Sequence, residues 1–152
     1  MTTEITVQPK YRIKEGQTAL IELRNMISRR PEKERLIVGG KQYLFFSDWQ
    51  TLGAFFEITA KVLSTEEIKQ DGQTIGFIAR ASALHNGQEI SAAEAECCFD
   101  EPNWEKKPRF QLRSMAQTRA CSKALRNCLA WVVRLPGNLG TVIADTPAEE
   151  IA

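Results

Sequence analysis

From Arg109 to Leu135 the chain contains neither proline nor glycine, and Pro136-Gly137 then ends the run. A stretch of this kind reads as one long helix, because proline lacks an amide proton and cannot continue the turn before it. At about 100° per residue, Ala120, Cys121, Ala124, Leu125, Cys128, Leu129, Trp131 and Val132 share one broad apolar face. Arg119, Lys123, Arg126 and Arg134 gather in a stripe of roughly 80° on the opposite side. Ala120 and Ala124 are small enough for the helix backbone to lie close against a sheet. The rest of the chain must therefore supply an apolar surface for one face of this helix and leave the other for cations.

That surface can be read upstream. Three β-rich runs, Ile58–Ile68, Thr74–His85 and Gln88–Phe99, are joined by Asp71-Gly72 and Asn86-Gly87, the dipeptides that suit tight hairpin turns. In the middle run Ile75, Phe77, Ala79, Ala81 and Ala83 alternate onto one face, which needs a helix to cover it. Earlier, apolar spacing predicts a helix from about Glu15 to Ser28 with Leu20, Leu23 and Ile27 together. Leu36–Val38 and Lys41–Phe46 flank Gly39-Gly40 as a small hairpin. Gly39-Gly40-Lys41 lacks the remainder of a phosphate-loop pattern, so the glycines are assigned to the turn. Ser47-Asp48-Trp49-Gln50 predicts a capped helix that buries Trp49, Leu52 and Phe56 on one side. The predicted class is α+β: an antiparallel three-stranded meander packed by one long basic helix, with a small N-terminal helix and hairpin. One domain is expected, with its core at about 15–137 and flexible ends at 1–14 and 138–152.

Charge is distributed unevenly. Between Lys106 and Ala144 there are eight Lys or Arg and no Asp or Glu, and since the chain totals +1, everything outside that segment carries −7. A basic patch inside a nearly neutral chain is the footprint of a polyanion partner. No apolar run approaches the roughly 20 residues of a membrane span, and the N-terminus lacks a signal peptide's basic and apolar regions, so a cytoplasmic protein is expected. With one histidine and no closely spaced cysteine pair of the metal-binding type, no metal is expected. Cys97, Cys98, Cys121 and Cys128 read as small buried hydrophobes.

The element order resembles the annealing core of the Rad-fifty-two family, grouped with ERF-type phage recombinases among single-strand annealing proteins. Three features carry the resemblance: the Gly39-Gly40 hairpin leading into a helix, the strands turned at Asp71-Gly72 and Asn86-Gly87, and the helix segment Thr118 to Arg126, TRACSKALR. It covers roughly residues 35–136; the segment from Asp100 to Leu112 matches poorly. The resemblance implies that Lys123 and Arg126 are groove cations, that Thr118 falls on a matching threonine, and that Arg35 aligns with a further groove arginine. Ser122 stands where the family often has lysine, and Arg119, one turn before Lys123, is expected to supply that charge. Lys41 and Arg134 complete the expected nucleic-acid-binding set.

Together these features predict a non-enzymatic protein that binds single-stranded DNA and anneals complementary strands without ATP, in recombination or repair in a bacterial, archaeal or phage-infected cell. No catalytic residue, cofactor or metal is expected. The expected partners are single-stranded DNA, further copies of the chain in a ring or filament, and a single-stranded-DNA-binding protein. Two alternatives stand beside this: a non-annealing single-strand-binding module, and a hot-dog-like acyl-thioester enzyme, which also wraps a sheet around a long helix. The second is disfavoured because the long helix carries no carboxylate.

Overall fold

The computed structural model describes residues 9–136 and 141–151. Helix α1 (Pro9–Ser28) is followed by a 3-10 turn at Glu32–Glu34 and strands β1 (Leu36–Val38) and β2 (Lys41–Tyr43). Helix α2 (Phe46–Ala54) leads into β3 (Ile58–Gln70), β4 (Gln73–His85) and β5 (Gln88–Cys98). Helix α3 (Arg109–Val133), strand β6 (Val142–Ile143) and a 3-10 turn at Ala148–Glu150 complete the chain.

The meander forms as its turns require. β4 is central and antiparallel to both neighbours. Asp71 and Gly72 have φ of 51° and 79°, and Asn86 and Gly87 the same pair of values. Two successive left-handed residues twist a two-residue turn in the sense of the strands it joins, and Asp-Gly and Asn-Gly reach that conformation at little strain. Register shifts in β3 between Val62 and Ser64, and beside Ala83–Leu84 in the β4–β5 pairing, bend and twist the sheet.

Helix α3 fills the concave face of this sheet. Ala79, Ala81 and Ala83 of β4 and Ala116, Ala120 and Ala124 of α3 are all buried, so small side chains meet small side chains. Leu112, Leu125, Leu129 and Val132 extend the same core and are fully buried. α2 adds Trp49 and Leu52, and α1 adds Leu20, Leu23 and Ile27.

Several elements depart from the sequence expectations. α1 begins at Pro9, six residues before the predicted start, at the one helical position where a missing amide proton is harmless. Ser47 is not the cap of α2. Phe45 occupies that position, and its amide donates to the Asp48 carboxylate at 3.0 Å. Asp48 is also ion-paired with Arg30, which ties the α1–β1 connection to α2. Trp131 is only partly buried: it stacks edge-on with Phe56 and lies where α1 crosses the end of α3, so close that a Cβ on Gly16 would stand 2.8 Å from its ring.

The largest departure is at the C-terminal end. The expectation of a flexible, acidic tail is corrected by the structure over 141–151. β6 pairs parallel with β2, making a second sheet in the order β1-β2-β6. Ile143, Ala144 and Ala148 are buried, and Ala148 donates its amide to Leu44 O at 2.9 Å. An acidic composition signalled a solvated end; three buried apolar side chains and backbone pairing instead dock it. Residues 1–8 and 152 lie outside the described residues, as do 137–140. No helix among the described residues is long and apolar enough to cross a membrane.

Candidate nucleic-acid interface

The row of cations on α3 is present, but its members are not equivalent. Arg119 is only 7% exposed. Its Nε donates to Glu149 O and one terminal nitrogen to Glu96 O, both at 2.8 Å, and it is ion-paired with Glu101 at 2.8 Å. Its guanidinium also lies over the Trp104 ring. The expectation that Arg119 faces solvent as a groove cation is therefore corrected: it is a buried tie between α3, the end of β5 and the C-terminal segment.

Ser122 is fully buried and donates its hydroxyl to Glu149 at 3.1 Å. The second oxygen of Glu149 accepts from the Phe46 amide at 2.9 Å, at the start of α2. Burial pushes the Glu149 carboxyl above its ordinary range, against these two hydrogen bonds. A lysine at position 122 would point into this packed carboxylate site and not into a groove. Thr118 is half-buried and makes no side-chain hydrogen bond among the described residues.

Lys123, Arg126 and Arg134 remain at the surface to differing degrees. Lys123 stands 3.8 Å from Glu150 across an open hollow of about 470 Å³ that also contains Glu94, Glu96, Glu101 and Arg119. Arg126 donates Nε to Asp145 O at 2.9 Å. Arg134 is ion-paired with the Asp145 carboxylate at 2.5 Å, and that pairing holds Asp145 below the usual carboxylate range. The helix has no acid of its own between Arg109 and Val133, yet Glu101, Asp145, Glu149 and Glu150 all reach it from outside. Charge segregation along the chain thus becomes charge pairing in space, and the carboxylate shortage that disfavoured an enzyme does not hold in three dimensions. Both oxygens of the most buried of these carboxylates, Glu149, are nevertheless engaged within the protein.

The C-terminal end of α3 meets a second group of cations. Arg134, Lys41 of β2 and Arg24 of α1 line one hollow of about 440 Å³ together with Val142, Ile143 and Ala144, and among the described residues its one carboxylate is Asp145. Lys41 is exposed and forms no ion pair among the described residues. Arg35 does not reach α3. It donates to Ser28 O at 2.6 Å, a carbonyl at the end of α1, and to Arg30 O at 2.7 Å in the turn that follows. It lines a hollow of about 300 Å³ with Arg24, Asn25, Ser28 and Gln42. Arg24 was missed by the sequence reading. The available signal was slight: it lies one turn from both Leu20 and Ile27, at the flank of the buried face of α1.

The four cysteines are free. Burial pushes the thiols of Cys97 and Cys98 up to about 11, which leaves them protonated and unreactive near neutral pH. No protein-family model, curated protein or solved structure matches the chain.

Proposed function

We propose that the protein binds single-stranded DNA through its phosphates and promotes pairing of complementary strands without ATP. One observation carries this reading. Lys123 and Arg126 of α3 are followed by Arg134 at its C-cap, which shares a hollow with Lys41 of β2, and Arg126 and Arg134 both bond Asp145 of that hollow, so cations from separate elements adjoin. Glu94, Glu96 and Glu101 share the hollow of Lys123, and two of these cations are ion-paired with carboxylates of one short C-terminal segment, Lys123 with Glu150 and Arg134 with Asp145. A phosphodiester strand can replace those carboxylates as the counter-charge, and it is the polyanion that a succession of separated cations matches best. Contacts of this type carry no base information, so binding is independent of sequence and the base edges stay available to a second strand. Four cations hold only a short length of strand, so the working form is a homo-oligomer, a ring or filament in which neighbouring chains extend the track.

Strand annealing with two complementary oligonucleotides in the absence of nucleotide tests the activity. Binding tests the residues. Lys123→Ala and Arg126→Ala should each flatten the slope of log affinity against log salt by about 0.7 and weaken mixed-sequence and homopolymer strands alike. A parent protein that neither binds an oligonucleotide nor speeds pairing refutes the reading; unchanged salt slopes in both variants remove these residues from it.

A further inference from the structure

Arg24 joins two hollows whose linings come from distant parts of the chain. It lines the one that holds Lys41 and Arg134 and also the one that holds Arg35, and Ile143 of β6 is the other residue common to both. The four cations come from four places in the chain: the middle of α1, the approach to β1, the start of β2 and the end of α3. Among the described residues lining the two hollows, Asp145 is the one carboxylate, and it is already paired with Arg134. The hollow with Arg24 and Arg35 has no carboxylate among the described residues of its lining.

The surroundings of Arg24 itself suit an anion. One terminal nitrogen donates to Thr141 O at 2.8 Å, while the buried Nε has no partner among the described residues. Burial disfavours its charge, and the nearby Asp145 is already paired with Arg134. A guanidinium drawn out of water normally recovers the lost hydration through a carboxylate or phosphate that takes several of its protons at once. Here the protein supplies only a single carbonyl.

We infer that the two hollows on either side of Arg24 form one phosphate track, with Arg24 as its central contact and Arg35 and Lys41–Arg134 receiving the flanking phosphates of the same single strand. The inference rests on the proposed strand binding and extends it. It moves the centre of the interface from Lys123 and Arg126 of α3 to the junction of α1, β2 and β6. It also returns Arg35, which makes no contact with α3, to the same surface as Arg134. A free phosphate or pyrophosphate offers Arg24 the same oxygens, but it would fill one hollow and leave the cations of the other without a counter-charge.

The test uses the intact protein and a deoxythymidine oligonucleotide. Phenylglyoxal modification of the parent, followed by mass spectrometry, should show Arg24 protected by the oligonucleotide while the exposed Arg29 stays reactive. Inorganic pyrophosphate at matched phosphate concentration should protect far less. An abasic oligonucleotide of equal length should protect as well as the thymidine strand, because the contacts are to phosphate. Arg24→Gln should lose about tenfold in affinity, as removal of one charge-assisted contact does, and should flatten the salt slope by about 0.7. If Arg24→Gln fails to fold, footprinting on the parent still decides. Equal modification of Arg24 with and without the strand overturns the inference, and Lys123 and Arg126 effects would then leave the broader reading standing. Equal protection by pyrophosphate overturns it in favour of a small-anion site. Absence of oligonucleotide binding by the parent removes both.

Discussion

Arg119→Ala is the substitution that most sharply separates a binding cation from a structural one. In the folded protein its guanidinium donates to two backbone carbonyls, Glu149 O and Glu96 O, each at 2.8 Å, with 7% of the residue exposed. Hydrogen bonds from a charged donor contribute about 1.5 kcal/mol each at the low end of their range, so these two together contribute about 3 kcal/mol. The ion pair with Glu101 adds little, because the Glu101 side chain is 29% exposed and stays partly solvated. Alanine therefore should lower stability by about 3 kcal/mol. Equilibrium urea unfolding followed by tryptophan fluorescence reads this as a midpoint lower by about 1.5 M, for a denaturant slope of about 2 kcal/mol/M. Arg119→Lys should recover only part of the loss, since one ammonium cannot span both carbonyls and the Trp104 ring. The folded variant should retain the parent's salt dependence of oligonucleotide binding. An Arg119→Ala protein that unfolds with the parent and has a flatter salt slope would refute this reasoning and restore Arg119 to the interface.

Asp145→Asn removes the carboxylate beside Arg134 and Lys41 but breaks only a solvent-exposed pair. Stability should change by less than about 1 kcal/mol, while oligonucleotide affinity at low salt rises several-fold; unchanged affinity would place the strand elsewhere. Glu149→Gln addresses the buried carboxyl. Its folded-state pKa lies above the ordinary 4.5, so the native state holds the proton more tightly and stability falls as pH rises from there through the raised value. The glutamine variant can still accept from Phe46 and bond Ser122, and its urea midpoint should lack that decline as pH rises above the ordinary carboxylate range. A parent whose midpoint climbs over the same range relative to the variant would show that the hydrogen bonds outweigh burial.

Local pattern determined a good deal of this protein by itself. Two left-handed dipeptides, Asp71-Gly72 and Asn86-Gly87, set the meander, since their backbone preferences act within a few residues and need no distant partner. The apolar face of α3 and the alanine-lined face of β4 likewise follow from periodicity, which names the buried side of an element before its partner is known. Exposure on the opposite side could not be read in the same way. A cationic stripe on a helical wheel says only that those side chains avoid the sheet, and the second layer that covers Arg119 arrives from thirty residues downstream, at Glu149. The C-terminal segment is short and acidic, so its composition argued for solvent. Its docking depends on β6 finding the one free edge of β2 and on Ile143, Ala144 and Ala148 finding apolar surface. Those are long-range events with no local signature. Arg24 and Arg35 show the same limit at the interface: they lie on α1 and before β1, apart from Lys41 and Arg134 in the chain, and only the closure of β6 against β2 sets all four around adjoining hollows.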